Sequence, residues 1–167
     1  MFSAGSVYSG YQHTRRAHLT FTMEYDDAVN VILMHGIGRD DQPTGSASLE
    51  QGFLRCLRPF TELREENYLQ IMEAIIALHP HLAGKRQVDR RLVAGLWYLT
   101  RMSRLWGLDP DGMLQRNHLL SDEETKQLQR WVRDIEYAVQ ILLSDRSPAK
   151  VLAMYLDPEV DGDAFPT

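Results

Sequence analysis

Apolar residues return along most of this chain at intervals of three and four, the period of a helix with one buried side. The clearest case runs from Gln87 to Leu108, where Val88, Leu92, Leu96, Leu99 and Trp106 share one narrow arc at about 100° per residue. This pattern predicts a central helix near 88–106. Its far side carries Arg90, Trp97, Arg101 and Arg104, so the segment that organises the core also presents a basic and aromatic stripe. A second long helix is predicted after Ser121. Ser121 and Glu124 have the spacing of a capping box, Asp122 and Glu123 fill the first turn, and Leu128, Val132, Ile135, Val139 and Leu142 hold one face. Tyr137 and Ile141 fall opposite that stripe, which predicts cover from an N-terminal arm or a patch between two copies of the chain.

Other segments carry weaker versions of the same signals. DDAVNVILMHG, from Asp26, reads as a helix with Asp26 or Asp27 as N-cap and Gly36 as its stop. Val29 to Met34 also fits a β-branched strand, but no second strong strand follows for it to pair with, so helix is the preferred reading. Residues 36–47 read as a loop. Ser48 and Gln51 have capping-box spacing ahead of Leu49, Phe53, Cys56, Leu57 and Phe60, with Pro59 ending the run. Thr61 is placed to cap a helix with Tyr68, Ile71, Met72, Ile75 and Leu78 on one side and Glu62, Glu66 and Glu73 on the other, closed by His79-Pro80 and Gly84. GLDPDG at 107–112 is a turn, a short helical turn follows at 113–117, and Ser147-Pro148 opens a last helix through Leu156. The expectation is an all-α fold, a compact bundle of five or six helices around the central one. An irregular arm spans 1–22, one helical domain spans 23–156, and a loose acidic tail spans 157–167.

With 167 residues, a domain of this size buries roughly 68–70% of the surface its unfolded chain exposes, so no cross-link is required. The single cysteine, Cys56, excludes an intramolecular disulfide and fits a reducing compartment. Arg15-Arg16 is followed by acids where an export signal needs an apolar run, and no apolar stretch approaches the length of a membrane span. A soluble cytoplasmic protein with no membrane partner is expected. A formal net charge of −5 argues against general nucleic-acid binding but leaves room for a local basic patch. Charge is unevenly spread: 85–104 holds six basic residues and one acid, and 157–163 holds four acids and no base.

The enzymatic signals are fragments. VNVILMHGIGRDD at 29–41 resembles the strand and oxyanion loop of α/β-hydrolases, which implies backbone amides after the glycine that stabilise a tetrahedral intermediate. No G-x-S-x-G elbow follows, and GSAS at 45–48 lacks the spacing. No H-E-x-x-H, E-x-x-H or C-x-x-C is present, His79 and His81 flank Pro80 at a helix end, and DPEVDGD at 157–163 gives only the first half of an EF-hand loop. Neither a metal nor a cofactor is expected. Cys56 has Arg55 and Arg58 as sequence neighbours but phases with Phe53 and Leu57, which makes it a core residue rather than a nucleophile.

The leading expectation is therefore a non-enzymatic helical interaction module, of adaptor, small-subunit or inhibitor and immunity type, binding a protein partner or itself. A second reading assigns Arg86, Arg90, Trp97, Arg101 and Arg104 to an anionic ligand or a nucleic-acid strand, since guanidinium groups beside an indole suit phosphate and carboxylate. In the opposing reading the arginines pair internally with Glu62, Glu66 and Glu73. A third reading is an enzyme assembled across helices from Glu66, Glu73, His79 and Arg101.

Overall fold

Helix boundaries follow local chemistry wherever a side chain can satisfy the first free amides. In the computed structural model, which describes residues 23–37, 52–144 and 146–156, helix accounts for 74% of the structure and no strand forms among the described residues. The elements are α1 (Tyr25–Gly36), α2 (Phe53–Leu57), α3 (Glu65–Leu82), α4 (Arg90–Ser103), α5 (Met113–Arg116), α6 (Asp122–Leu143) and α7 (Ala149–Leu156). A π-turn, Arg104–Leu108, extends α4. The arm at 1–22, the tail with its half EF-hand and the Ser48 to Gln51 capping box lie outside the described residues.

Ser121 caps α6 as its spacing predicts. Its hydroxyl accepts from the Glu124 amide at 3.3 Å, and the Glu124 carboxylate accepts in return from the Ser121 amide at 2.8 Å. The Ser121 amide and the Ser121 hydroxyl, which donates to the same carboxylate at 2.7 Å, hold the Glu124 carboxyl below the usual glutamate range. Asp89 caps α4 by accepting from the Arg91 amide at 2.8 Å. α1 is helical throughout, so the His-Gly pair ends a helix and the strand that the hydrolase resemblance implies does not form. Two boundaries differ from the sequence pattern. α3 starts at Glu65 with Arg64 at its N-cap, and the Thr61 amide is bonded to the Cys56 carbonyl beyond α2. It also runs through Pro80 to Leu82, since a proline in the last turn forfeits only one amide bond; Gly84, at φ +66°, then takes the left-handed turn that separates it from α4.

α1 packs across both α3 and α4, α6 closes on α3 and α4, and α7 returns against α3 and α6. One apolar cluster joins them: Ile32 from α1, Ile71 and Ile75 from α3, Leu96 and Leu99 from α4, and Leu128 and Ile135 from α6 are all fully or almost fully buried. α3 shares the centre with α4, burying residues on most of its circumference, whereas α4 keeps one whole side in solvent. Tyr155 at the end of α7 donates its hydroxyl to Glu73 on α3.

The α1–α4 crossing depends on glycine. A Cβ on Gly36 would sit 2.6 Å from the Gly95 carbonyl oxygen, a backbone atom that cannot swing aside. Gly36→Ala is therefore expected to lower stability by about 1–3 kcal/mol, although alanine is the better helix former. Chemical denaturation reads this directly, and a midpoint equal to or above wild type would contradict so close a crossing.

Leu128, Val132, Ile135 and Leu142 are buried as their spacing predicts, and the buried arc of α6 is broader than that stripe. Trp131, Ala138 and Ile141 are buried, and Val139 is only half-buried. Tyr137 and Ile141 thus do not form an exposed patch. Ile141 is 5% exposed, and Tyr137 is half-buried with Lys150 Nζ 5.3 Å from its ring centroid. α6 packs against α3, α4 and α7, so more of its circumference is buried than one apolar stripe accounts for.

Candidate functional site

α4 divides its residues cleanly. Leu92, Leu96 and Leu99 are fully buried, while Arg90, Val93, Trp97, Arg101, Arg104 and Leu105 face solvent within one arc of the helix. Trp97 is 55% exposed and Tyr98 43%, and the two rings meet edge to face with centroids 5.4 Å apart. Val93 and Leu105 add exposed apolar surface at either end of the stripe. Large apolar groups grouped on one helix face cost free energy in water.

The arginines on this face are not tied to the glutamates of α3. Arg86, Arg90 and Arg101 are exposed and form no ion pair among the described residues. Glu62 instead pairs with Arg64, two residues away, and Glu73 takes the Tyr155 hydroxyl. Arg104 does have an internal partner, but on α6. Its Nε donates to Glu136 Oε1 at 2.8 Å and its Nη2 to Oε2 at 2.5 Å, a two-pronged contact that holds its pKa above even the usual arginine value. The internal ladder expected with Glu62, Glu66 and Glu73 is thus replaced by one pair across α6.

The π-turn aims Arg104. Thr100 Oγ1 bonds the Leu96 carbonyl at 3.0 Å and Ser103 Oγ bonds the Leu99 carbonyl, so two hydroxyls load the carbonyls of the turns just before the helix widens. The Asp109 amide then reaches back five residues to the Arg104 carbonyl at 2.9 Å. Behind this turn, α5 and the first half of α6 leave a half-open cavity of about 550 Å³. Arg104 enters it from the α4 side, and Lys126, Arg130 and Arg133 line it from α6. Periodicity alone missed these three, although their i, i+4, i+7 spacing is a legible basic stripe on one side of α6.

The proposed catalytic set does not converge. Glu66 and Glu73 share one side of α3, His79 is buried on another, and Arg101 stands on the solvent side of α4. Cys56 is a buried core residue, with Asn67 Nδ2 3.7 Å from its sulfur. His35 is a polar core residue that the sequence reading passed over. Its Nδ1 accepts from the Phe53 amide, the first free amide of α2, at 3.1 Å, which leaves the ring hydrogen on Nε2 to donate to Gln70 Oε1 at 3.0 Å. Burial pushes its pKa down to about 4, only partly opposed by the Gln70 contact. Among the described residues no helix is long and apolar enough to cross a membrane, and no three His, Cys, Asp or Glu side chains gather as a metal site. No protein-family model, curated protein or solved structure matches this chain.

Proposed function

We propose that this chain is a non-enzymatic helical interaction module whose outer α4 face docks on an acidic protein partner. The observation that carries this reading is the exposure of Trp97, Tyr98, Val93 and Leu105 on one helix face beside Arg90 and Arg101, which pair with no carboxylate among the described residues. Tryptophan, tyrosine and arginine are the residue types that dominate binding energy at protein interfaces, because each covers a large area and adds a directional polar contact. Charge argues for a different protein over a second copy. A two-fold interface through this face would set Arg90 and Arg101 of one chain against the same cluster of the other, and like charges facing each other disfavour that pairing.

Wild type and a Trp97→Ala/Arg101→Glu variant, each immobilised, are to be exposed to extract from the source cells, and any protein held only by wild type purified for a direct affinity measurement. The purified partner is expected to bind the variant more weakly by about tenfold or more, and more weakly still as salt rises. Equal affinity for both forms would overturn the assignment. So would light scattering that shows a stable dimer of wild type abolished by Trp97→Ala, because the face would then be occupied by another copy.

A further inference from the structure

We infer that the wedge between the π-turn, α5 and α6 is a binding site for a small organic phosphate bearing more than one phosphoryl group. Four cations line it, Arg104, Lys126, Arg130 and Arg133, and no carboxylate is among the lining side chains. Three of these cations have a carboxylate beside them, each standing outside the lining. Glu136 grips two nitrogens of Arg104, Asp134 is buried, accepts from the Tyr68 hydroxyl at 3.2 Å and lies 3.5 Å from Arg133 Nε, and Glu123 stands 3.9 Å from Lys126 on exposed surface. Arg130 contacts no carboxylate among the described residues, and Asp134 feels its charge only at longer range.

Fixed geometry distinguishes this cluster from a solvated basic helix. The Glu136 clamp orients the Arg104 guanidinium through Nε and Nη2, and Nη1 meets no acceptor among the described residues. Gln115, on the opposite wall, is held by its Nε2 bond to the Gly107 carbonyl at 2.7 Å, which also ties α5 to the π-turn. Thr125 and Gln129 bring a hydroxyl and an amide to the same cavity, and Leu108 supplies an apolar wall. Several cations with neutral donors and a patch of apolar wall match phosphoryl oxygens attached to an organic body. A cavity of about 550 Å³ lies within the range that holds ligands of that size. The site does not depend on the protein-docking reading, because only Arg104 adjoins the α4 face and Trp97 is not part of the lining.

Titration with inorganic pyrophosphate, at ionic strength held constant with sodium chloride, tests it. Pyrophosphate is expected to raise the wild-type Tm by several degrees and to bind more tightly than inorganic phosphate. Arg130→Gln should weaken its binding by about tenfold, a cost typical of losing a guanidinium-to-phosphate contact, and Lys126→Gln should weaken it by a similar or smaller factor. Arg90→Gln and Trp97→Ala, outside the cavity, should leave the affinity unchanged. No effect of pyrophosphate beyond that of the salt would overturn the site, as would equal losses in Arg130→Gln and Arg90→Gln, which would signify diffuse attraction. Far-UV spectra check that each variant folds, and Lys126→Gln decides the matter if Arg130→Gln does not.

Discussion

Leu99→Ala is expected to lower the unfolding free energy by about 2–5 kcal/mol, whereas Trp97→Ala, two residues earlier on the same helix, should change it by no more than about 0.5 kcal/mol. Leu99 is fully buried among the side chains that join α4 to the rest of the core, so truncation removes its transfer free energy and leaves a cavity the neighbours fill only in part. Trp97, though larger, is more than half exposed and gives up little burial. Folded domains are stable by about 5–15 kcal/mol, so the first change consumes a large share of the total and the second almost none. Urea unfolding of both variants checks the pair: the Leu99→Ala midpoint should fall with an unaltered slope. Wild-type stability in Leu99→Ala would mean that the buried side of α4 is misassigned. A large loss in Trp97→Ala would mean that its ring packs within the monomer, leaving no face for a partner.

A second large effect is expected from acid. His35 is neutral in the folded chain, with a pKa pushed down to about 4 by burial, and the released chain returns it to the ordinary value near 6.5. Above pH 6.5 neither state binds the proton, and the full stability is present. As pH falls below 6.5 the unfolded chain takes up a proton that the folded one refuses, so stability declines until about pH 4, where the folded ring also protonates. A gap of that size corresponds to about 3 kcal/mol when fully developed. Asp134 acts in the opposite sense. Its burial raises its pKa, so the folded chain binds that proton before the unfolded one and gains stability as pH drops. The contributions separate in His35→Asn, whose amide oxygen can still accept from the Phe53 amide but does not titrate. The difference between wild-type and variant stability should shift steadily between pH 6.5 and 4. A constant difference across that window, or an NMR titration of His35 near 6.5, would contradict a buried neutral ring.

Both effects originate in residues that a sequence presents very differently. Leu99 repeats with Leu92 and Leu96 and is legible from spacing alone. His35 is one of six histidines, and neither its neighbours nor its period shows that Phe53 and Gln70 will meet its two nitrogens. The same contrast divides the arginines. That Arg90, Arg101 and Arg104 share the solvent side of α4 follows from helical phase, but the partner of Arg104 is 32 positions away on α6 and depends on how two helices cross.

The sequence by itself determined the all-α character, the limits of α6, the burial of Leu92, Leu96 and Leu99, and the exposure of the arginine and tryptophan face. These are local properties: a capping box satisfies amides three residues away, and a 3.6-residue period assigns each side chain to one side of its own helix. Tertiary structure alone decided that Tyr137 and Ile141 are covered by the chain itself, that Glu62 and Glu73 find partners other than the α4 arginines, and that Arg104 joins Lys126, Arg130 and Arg133 around one cavity. Each of these depends on which helix lies beside which, and a period read along one helix shows that a face will be buried without showing against what. α6 illustrates this most directly. Its apolar stripe announced a buried face, and only the packing shows that α3, α4 and α7 share in covering it and that Trp131 stacks on Tyr68 of α3.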